Sequence, residues 1–188
     1  EVPSVRRNAQ WVTTTIDREI QHVAETRVRE VTDRLRLKHV TAAAAVVLDN
    51  ESGEILAYVG SPAFFDEERK GANDGVLQMR QPGSALKPFV YGLAMETLHF
   101  GAETALPDVE QSFFSEAGEF LPKNYDEKTH GPVRLREALA NSLNIPAVYT
   151  ADRVGVARLQ ERFHDLGMNL SAQDLHYGPA IALGDGEV

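Results

Sequence analysis

Cysteine is absent from the 188 residues. Disulfides, thiol nucleophiles and cysteine-based metal centres are therefore excluded, and the chain suits a reducing or an oxidising compartment equally. Long apolar runs are missing as well. The longest, Ala42 to Leu48, falls far short of the ~20 residues that span a bilayer, and no signal-peptide pattern is visible. The six histidines, at 22, 39, 99, 130, 164 and 176, never fall at His-x-x-x-His spacing, so no zinc site is suggested. There is no Gly-x-x-x-x-Gly-Lys loop for a nucleotide, and no Gly-x-Ser-x-Gly of the α/β-hydrolase type. Neither a cofactor nor a metal is called for. Positive charge is the scarcer sign, 19 Lys and Arg against 28 Asp and Glu for a net charge of −9. That balance argues against nucleic acid as a partner.

What is present reads as one globular domain with a core, residues 1–188. Hydrophobic residues make up 43% and charged residues 25%, an ordinary balance. Trp11 to Ile16 is β-branched and extended. Asp17 caps a helix over 17–37, in which Ile20, Val23, Ala24, Val28, Val31 and Leu35 recur near the 3.6 period. Arg27, Arg29, Arg34 and Arg36 form its solvated face. The apolar runs 40–48 and 54–60 flank the turn residues Asp49-Asn50-Glu51-Ser52-Gly53 and predict a β-hairpin in the middle of a sheet. Residues 61–83 are polar and irregular, with Phe64-Phe65 in a surface loop. A helix is expected over 84–98, with Pro88 in its first turn. A long, mostly irregular connection follows over 101–132. Helical patterns return at 133–140, after the break at Ser142-Leu143-Asn144 with Pro146 in a first turn, and over 156–166, stopped by Gly167.

Two short patterns stand out. Arg80 to Tyr91 reads Arg-Gln-Pro-Gly-Ser-Ala-Leu-Lys-Pro-Phe-Val-Tyr. It sets Ser84 three residues before Lys87, just behind a Pro-Gly break, so a helix starting there puts hydroxyl and amine on one face. A hydroxyl is a weak nucleophile until a base takes its proton, and a partly desolvated lysine can be that base. The second pattern is Ser142-Leu143-Asn144, a bend between helices from which side chains can reach a cleft. With 8 Ser, 5 Lys and 7 Asn in the chain, chance alone gives roughly 0.2 Ser-x-x-Lys and roughly 0.3 Ser-x-Asn per chain. Neither spacing is decisive by itself; the flanking residues decide.

With those flanks, Arg80 to Tyr91 resembles the nucleophile segment of the penicillin-binding protein transpeptidases. Asn141 to Val148 resembles the second element of that family, Val46 to Gly60 the hairpin before the nucleophile, and Thr13 to Gln21 the approach to its first helix. The likeness is to the bifunctional class A group, and Phe64 to Arg69 with Arg80 to Gly83 leans toward the penicillin-binding protein 1C type. The resemblance implies an α+β fold of the β-lactamase/D,D-peptidase kind, with a central antiparallel sheet and helices on its faces, of which this chain is the N-terminal part.

It also implies roles. Ser84 attacks the D-Ala-D-Ala carbonyl of a peptidoglycan stem peptide, Lys87 takes its proton, Ser142 relays a proton to the leaving amine, and Asn144 binds the peptide backbone. β-Lactam antibiotics would trap Ser84. The partners implied are stem peptides, β-lactams and an upstream glycosyltransferase domain. The implied location is the periplasmic face of the inner membrane, reached through an anchoring segment absent from this chain. The family's Lys-Thr/Ser-Gly element is missing after Asn144; Lys128-Thr129-His130 precedes Ser142 and lacks the glycine. The chain thus reads as truncated and, alone, as catalytically silent. Two other readings share the first two elements: a penicillin-sensing or scaffold domain, and a serine β-lactamase. For the lactamase, Glu137 with Asn141 superficially suggests a deacylating base, but Glu137 comes before Ser142, in the wrong order.

Overall fold

The computed structural model describes residues 11–115, 118–168 and 172–184, the last of these as backbone only up to 177. The chain divides into two compact units, Glu1–Gln78 and Met79–Val188. Helices and short antiparallel strands make up both, an α+β composition. Among the described residues, no helix is long and apolar enough to cross a membrane.

In the first unit, α1 (Arg18–Arg34) starts where the sequence places it. Asp17 accepts hydrogen bonds from the Glu19 and Ile20 backbone N–H groups, both at 2.9 Å. These are donors that a helix start otherwise leaves without partners. The hairpin is β1 (Ala45–Leu48) with β2 (Ile55–Val59), antiparallel, with an irregularity between Val47 and Leu48. Gln21 of α1 bonds to β2 as another strand would: its amide donates to Tyr58 O at 3.1 Å and accepts from Tyr58 N at 2.8 Å. Val28 and Thr32 are buried, whereas Val23 and Val31, expected on the same stripe, are exposed. A two-stranded ribbon is too narrow to cover a whole helix face. β1 also begins at Ala45 rather than Val40, and no ladder wider than two strands occurs among the described residues. Phe64 and Phe65 lie on the surface, edge to face at 5.1 Å.

The second unit opens with a 3-10 turn, Gly83–Leu86, which runs into α2 (Lys87–Leu98) with Pro88 in its first turn. The expected helix over 84–98 is thus a tight turn followed by an α-helix. The connection 101–132, expected to be irregular, instead holds most of four strands: β3 (Ala105–Asp108), β4 (Phe113–Ser115), β5 (Gly118–Phe120) and β6 (Gly131–Arg134). β3 pairs with β6 and β4 with β5, all antiparallel. The sequence hides them for a physical reason. They are three or four residues long, and Pro107 faces Pro132 across the β3–β6 ladder. Proline has no N–H to give a ladder and argues against a strand unless that side faces away from the partner. Val133 and Arg134 accordingly belong to β6 rather than to the next helix, α3 (Leu135–Ala140).

α4 (Asn144–Val154) and α5 (Val156–Asp165) follow as expected, and Gly167, at φ +82°, turns the chain by donating to His164 O. A 3-10 stretch over Ala172–Leu183, interrupted at Gly178, ends the described residues together with Gly184. The core gathers Val90, Leu93, Ala94, Leu106, Leu135, Ala138, Ala147, Ala151, Leu159, Phe163 and Ile181. Its alanines let α2 and α4 approach closely, and α4 is buried on nearly every side. Leu159→Ala, at a site with no exposure, is expected to cost ~2–5 kcal/mol of stability in denaturant unfolding. Val31→Ala on the exposed side of α1 should cost within about 0.5 kcal/mol; equal costs would contradict this placement of the core.

Candidate active site

The four residues singled out in the sequence all lie in the second unit. Ser84 sits on the 3-10 turn and is exposed. Lys87 closes that turn, its backbone N–H donating to Ser84 O. Side chains at i and i+3 eclipse in a 3-10 turn, so the hydroxyl and the amine leave the backbone on the same side. The turn is held from behind: Gly83 N donates to Gly184 O at 3.3 Å. A Cβ on Gly184 would come within 2.3 Å of Gly83 N and O, and Gly184 itself has φ +72°. Only glycine allows this approach.

Lys87 is only 1% exposed. Its ammonium donates to Ser142 O at 2.6 Å, Ser142 Oγ at 3.1 Å and Asn144 Oδ1 at 2.7 Å. Three N–H donors meet three acceptors, which is the full capacity of an ammonium. Lys87, Ser142 and Asn144 are therefore brought together as the sequence suggests. The Ser84 hydroxyl, by contrast, makes no hydrogen bond to the Lys87 amine, whose bonds go to Ser142 and Asn144. Burial removes water from the amine and pushes its pKa from 10.5 down to about 8, since desolvation disfavours the charged form. Ser142 has φ +52°, a conformation that costs a non-glycine residue of order 1–3 kcal/mol and recurs at functional sites. It turns both the carbonyl and the hydroxyl of one residue onto the same amine.

Three residues that the sequence reading did not single out support this turn. Asn124, 4% exposed, accepts from Asn144 N at 2.8 Å and Ile145 N at 3.3 Å. Asp108, with no exposure, accepts from Asn124 Nδ2 at 2.7 Å and from His130 N at 2.9 Å. Its Oδ2 also pairs with His130 Nδ1 at 2.6 Å, and His130 Nε2 lies 3.3 Å from Asp126. The hydrogen bond to Asp108 raises the His130 pKa above its ordinary 6.5. These partners stand 16 to 22 residues apart in sequence, and no local spacing announces them. A cleft of about 530 Å³ borders Ser142, lined also by Tyr125, Asp126, His130, Glu137 and Asn141. Glu137 is committed locally, accepting from Arg134 N at 3.2 Å at the start of α3. No group of three or more metal-ligating side chains occurs among the described residues.

A serine one tight turn ahead of a buried lysine, with a Ser-x-Asn bend supplying that lysine's acceptors, suits lysine-assisted acyl transfer to serine. Comparison with known proteins places the chain in a family. A model of the penicillin binding protein transpeptidase domain matches residues 43–175, and the chain belongs to that family. It is similar to penicillin-binding protein 1C of Escherichia coli (strain K12), 35% identical over 159 residues, covering 85% of this chain and 20% of that protein. It is similar also to penicillin-binding protein 1F of Bacillus subtilis (strain 168), 36% identical over 142 residues, covering 75% of this chain and 18% of that protein. Among solved structures, penicillin-binding protein 1A from Haemophilus influenzae aligns with TM-score 0.67 at 28% identity, over 78% of this chain and 21% of that one. PonA1 from Mycobacterium tuberculosis in complex with penicillin V aligns with TM-score 0.71 over 94% of this chain and 47% of that one, and at 23% identity shows the shared fold. The chain spans about one fifth of the length of the curated relatives it matches.

Because the folded-state pKa of His130 is raised, the unfolded chain releases this proton more readily. Stability gained from the charged His130–Asp108 pair is complete below about pH 6.5 and is lost as pH rises through the higher folded value. His130→Ala should therefore destabilise more at pH 6 than at pH 9, read from denaturant midpoints. A penalty that does not change with pH would contradict the charged pair.

Proposed function

We propose that the parent protein is a peptidoglycan D,D-transpeptidase working through an acyl-serine intermediate, with Ser84, Lys87 and Ser142 as catalytic residues and Asn144 as a substrate-binding residue. The observation that carries this reading is the buried Lys87 amine, ringed by Ser142 and Asn144. At pH 7 a pKa of about 8 leaves about one lysine in ten neutral. A neutral amine has two N–H donors and one lone pair. It keeps the short bonds to Ser142 O and Asn144 Oδ1 and has its lone pair free for a hydroxyl.

Ser84 Oγ then bonds to the carbonyl carbon between the last two D-alanines while its proton passes to Lys87. The C–N bond breaks, the proton reaches the departing D-alanine amine through Ser142, and an ester to Ser84 remains. An amine from a neighbouring stem displaces Ser84, which recovers its proton, and a cross-link is formed. A β-lactam offers the same carbonyl and would leave the ester in place. We place the protein on the periplasmic side of the membrane, held by a segment outside this stretch and joined to an upstream glycosyltransferase domain. Residues 1–188 are the N-terminal part of the transpeptidase domain in this reading, and the relatives' greater length is room for the Lys-Thr/Ser-Gly strand.

Labelling of the full-length protein with a fluorescent penicillin tests the assignment. Ser84→Ala should abolish labelling. The wild-type second-order rate should rise about tenfold per pH unit below a midpoint near 8, because only neutral Lys87 accepts the proton. Undiminished labelling of Ser84→Ala would overturn the assignment. Cross-linked product from peptidoglycan precursor separates a transpeptidase from a penicillin-sensing domain, and rapid turnover of penicillin would point to a lactamase.

A further inference from the structure

We infer that Asn124 is a positioning residue for the acylation step, a clamp supplied from another loop that holds the 142–144 bend against Lys87. The inference rests on the transpeptidase reading above. α4 begins at Asn144, yet its own flanking residue, Leu143, supplies no side-chain cap. The first helical turn offers free N–H groups at 144 and 145, and none at Pro146. Both go to Asn124 Oδ1, at 2.8 and 3.3 Å. A cap is ordinarily the residue just before the helix; this one lies 20 residues upstream of Asn144.

The Asn124 side chain is saturated. Oδ1 accepts two bonds, and Nδ2 donates to Asp108 Oδ1 at 2.7 Å and Lys128 O at 2.8 Å. Turning the amide over would aim NH₂ at two N–H donors and the oxygen at a carboxylate and a carbonyl, so its orientation is fixed. Asp108 anchors it to β3, and Asp108 in turn holds His130 at the edge of β6. The preceding residue completes the clamp, for Lys123 O accepts from Asn144 Nδ2 at 2.8 Å. With its amide nitrogen tied there, Asn144 has to direct Oδ1 to Lys87. The charged or titratable groups in this arrangement are Asp108, His130, Asp126, Lys87 and the buried Tyr91 of α2, whose pKa is raised by burial and by the charge of Asp108; Lys123 and Lys128 take part through their backbone.

The chemical consequence falls on Lys87. If the clamp is lost, the bend relaxes from its left-handed conformation and water replaces Ser142 and Asn144 as acceptors. A rehydrated ammonium returns toward the ordinary lysine pKa, and fewer molecules carry a neutral amine at pH 7.

The test is the pH dependence of the second-order acylation rate with fluorescent penicillin, in the full-length wild-type protein and Asn124→Ala, each shown by circular dichroism to be folded. The acid limb of the variant should move up by about one pH unit, so that labelling at pH 7 falls about tenfold and largely recovers at high pH. A plain loss of stability would not move the limb. If the alanine variant does not fold, Asn124→Ser carries the same test with the same direction. A wild-type protein that labels and a folded variant whose limb stays in place or moves down overturn the inference alone. A wild-type protein that does not label overturns the transpeptidase reading, and this inference with it.

Discussion

A buried ammonium is costly unless acceptors replace the water it has lost, and the second unit is arranged around one. Lys87 has almost no exposure, and three oxygens take its three protons. Two of these oxygens belong to Ser142 and one to Asn144, 55 and 57 residues further along the chain. The helix that carries the lysine and the bend that receives it must both be in place before the charge is compensated. Desolvation is also what gives the group its chemistry, because the same loss of water lowers the pKa into the range where a neutral amine is available.

Around that interaction the local rules of backbone structure are broken in a consistent way. Ser142 is held at positive φ without being glycine. Asn144 opens a helix whose cap comes from a distant loop. Gly83 and Gly184 meet backbone to backbone behind Ser84, closer than a side chain would permit. Ser142 and Asn144 thereby present their oxygens to Lys87, and the start of α4 is tied to the buried Asp108–Asn124 pair.

Where the controlling interaction is local, the sequence is readable. Asp17 caps its own helix, Gly167 ends another, and Ser84 with Lys87 need only the three-residue spacing that a 3-10 turn provides. The Ser-x-Asn bend is legible because Pro146 follows it in the first turn of α4. The strands of 105–134 are not, since Pro107 and Pro132 face each other across the β3–β6 ladder and neither has an N–H to give it. Asp108, Asn124 and His130 were hidden for a different reason. Their roles come from tertiary placement alone, and a buried Asp or Asn has no sequence period of its own. Likewise, the exposed valines of α1 follow a perfect helical stripe, but periodicity cannot report how wide the partner surface is.

The state of the Lys87 amine is the quantity on which the proposed chemistry turns. With five lysines in the chain, titration of isotope-labelled lysine side chains by NMR can follow each one, with Lys87→Arg identifying the signal of interest. The buried, triply bonded amine described here should titrate near 8. A Lys87 signal that titrates at the ordinary lysine value of 10.5 would mean that the amine is hydrated and charged at neutral pH, and that it is not the base for Ser84.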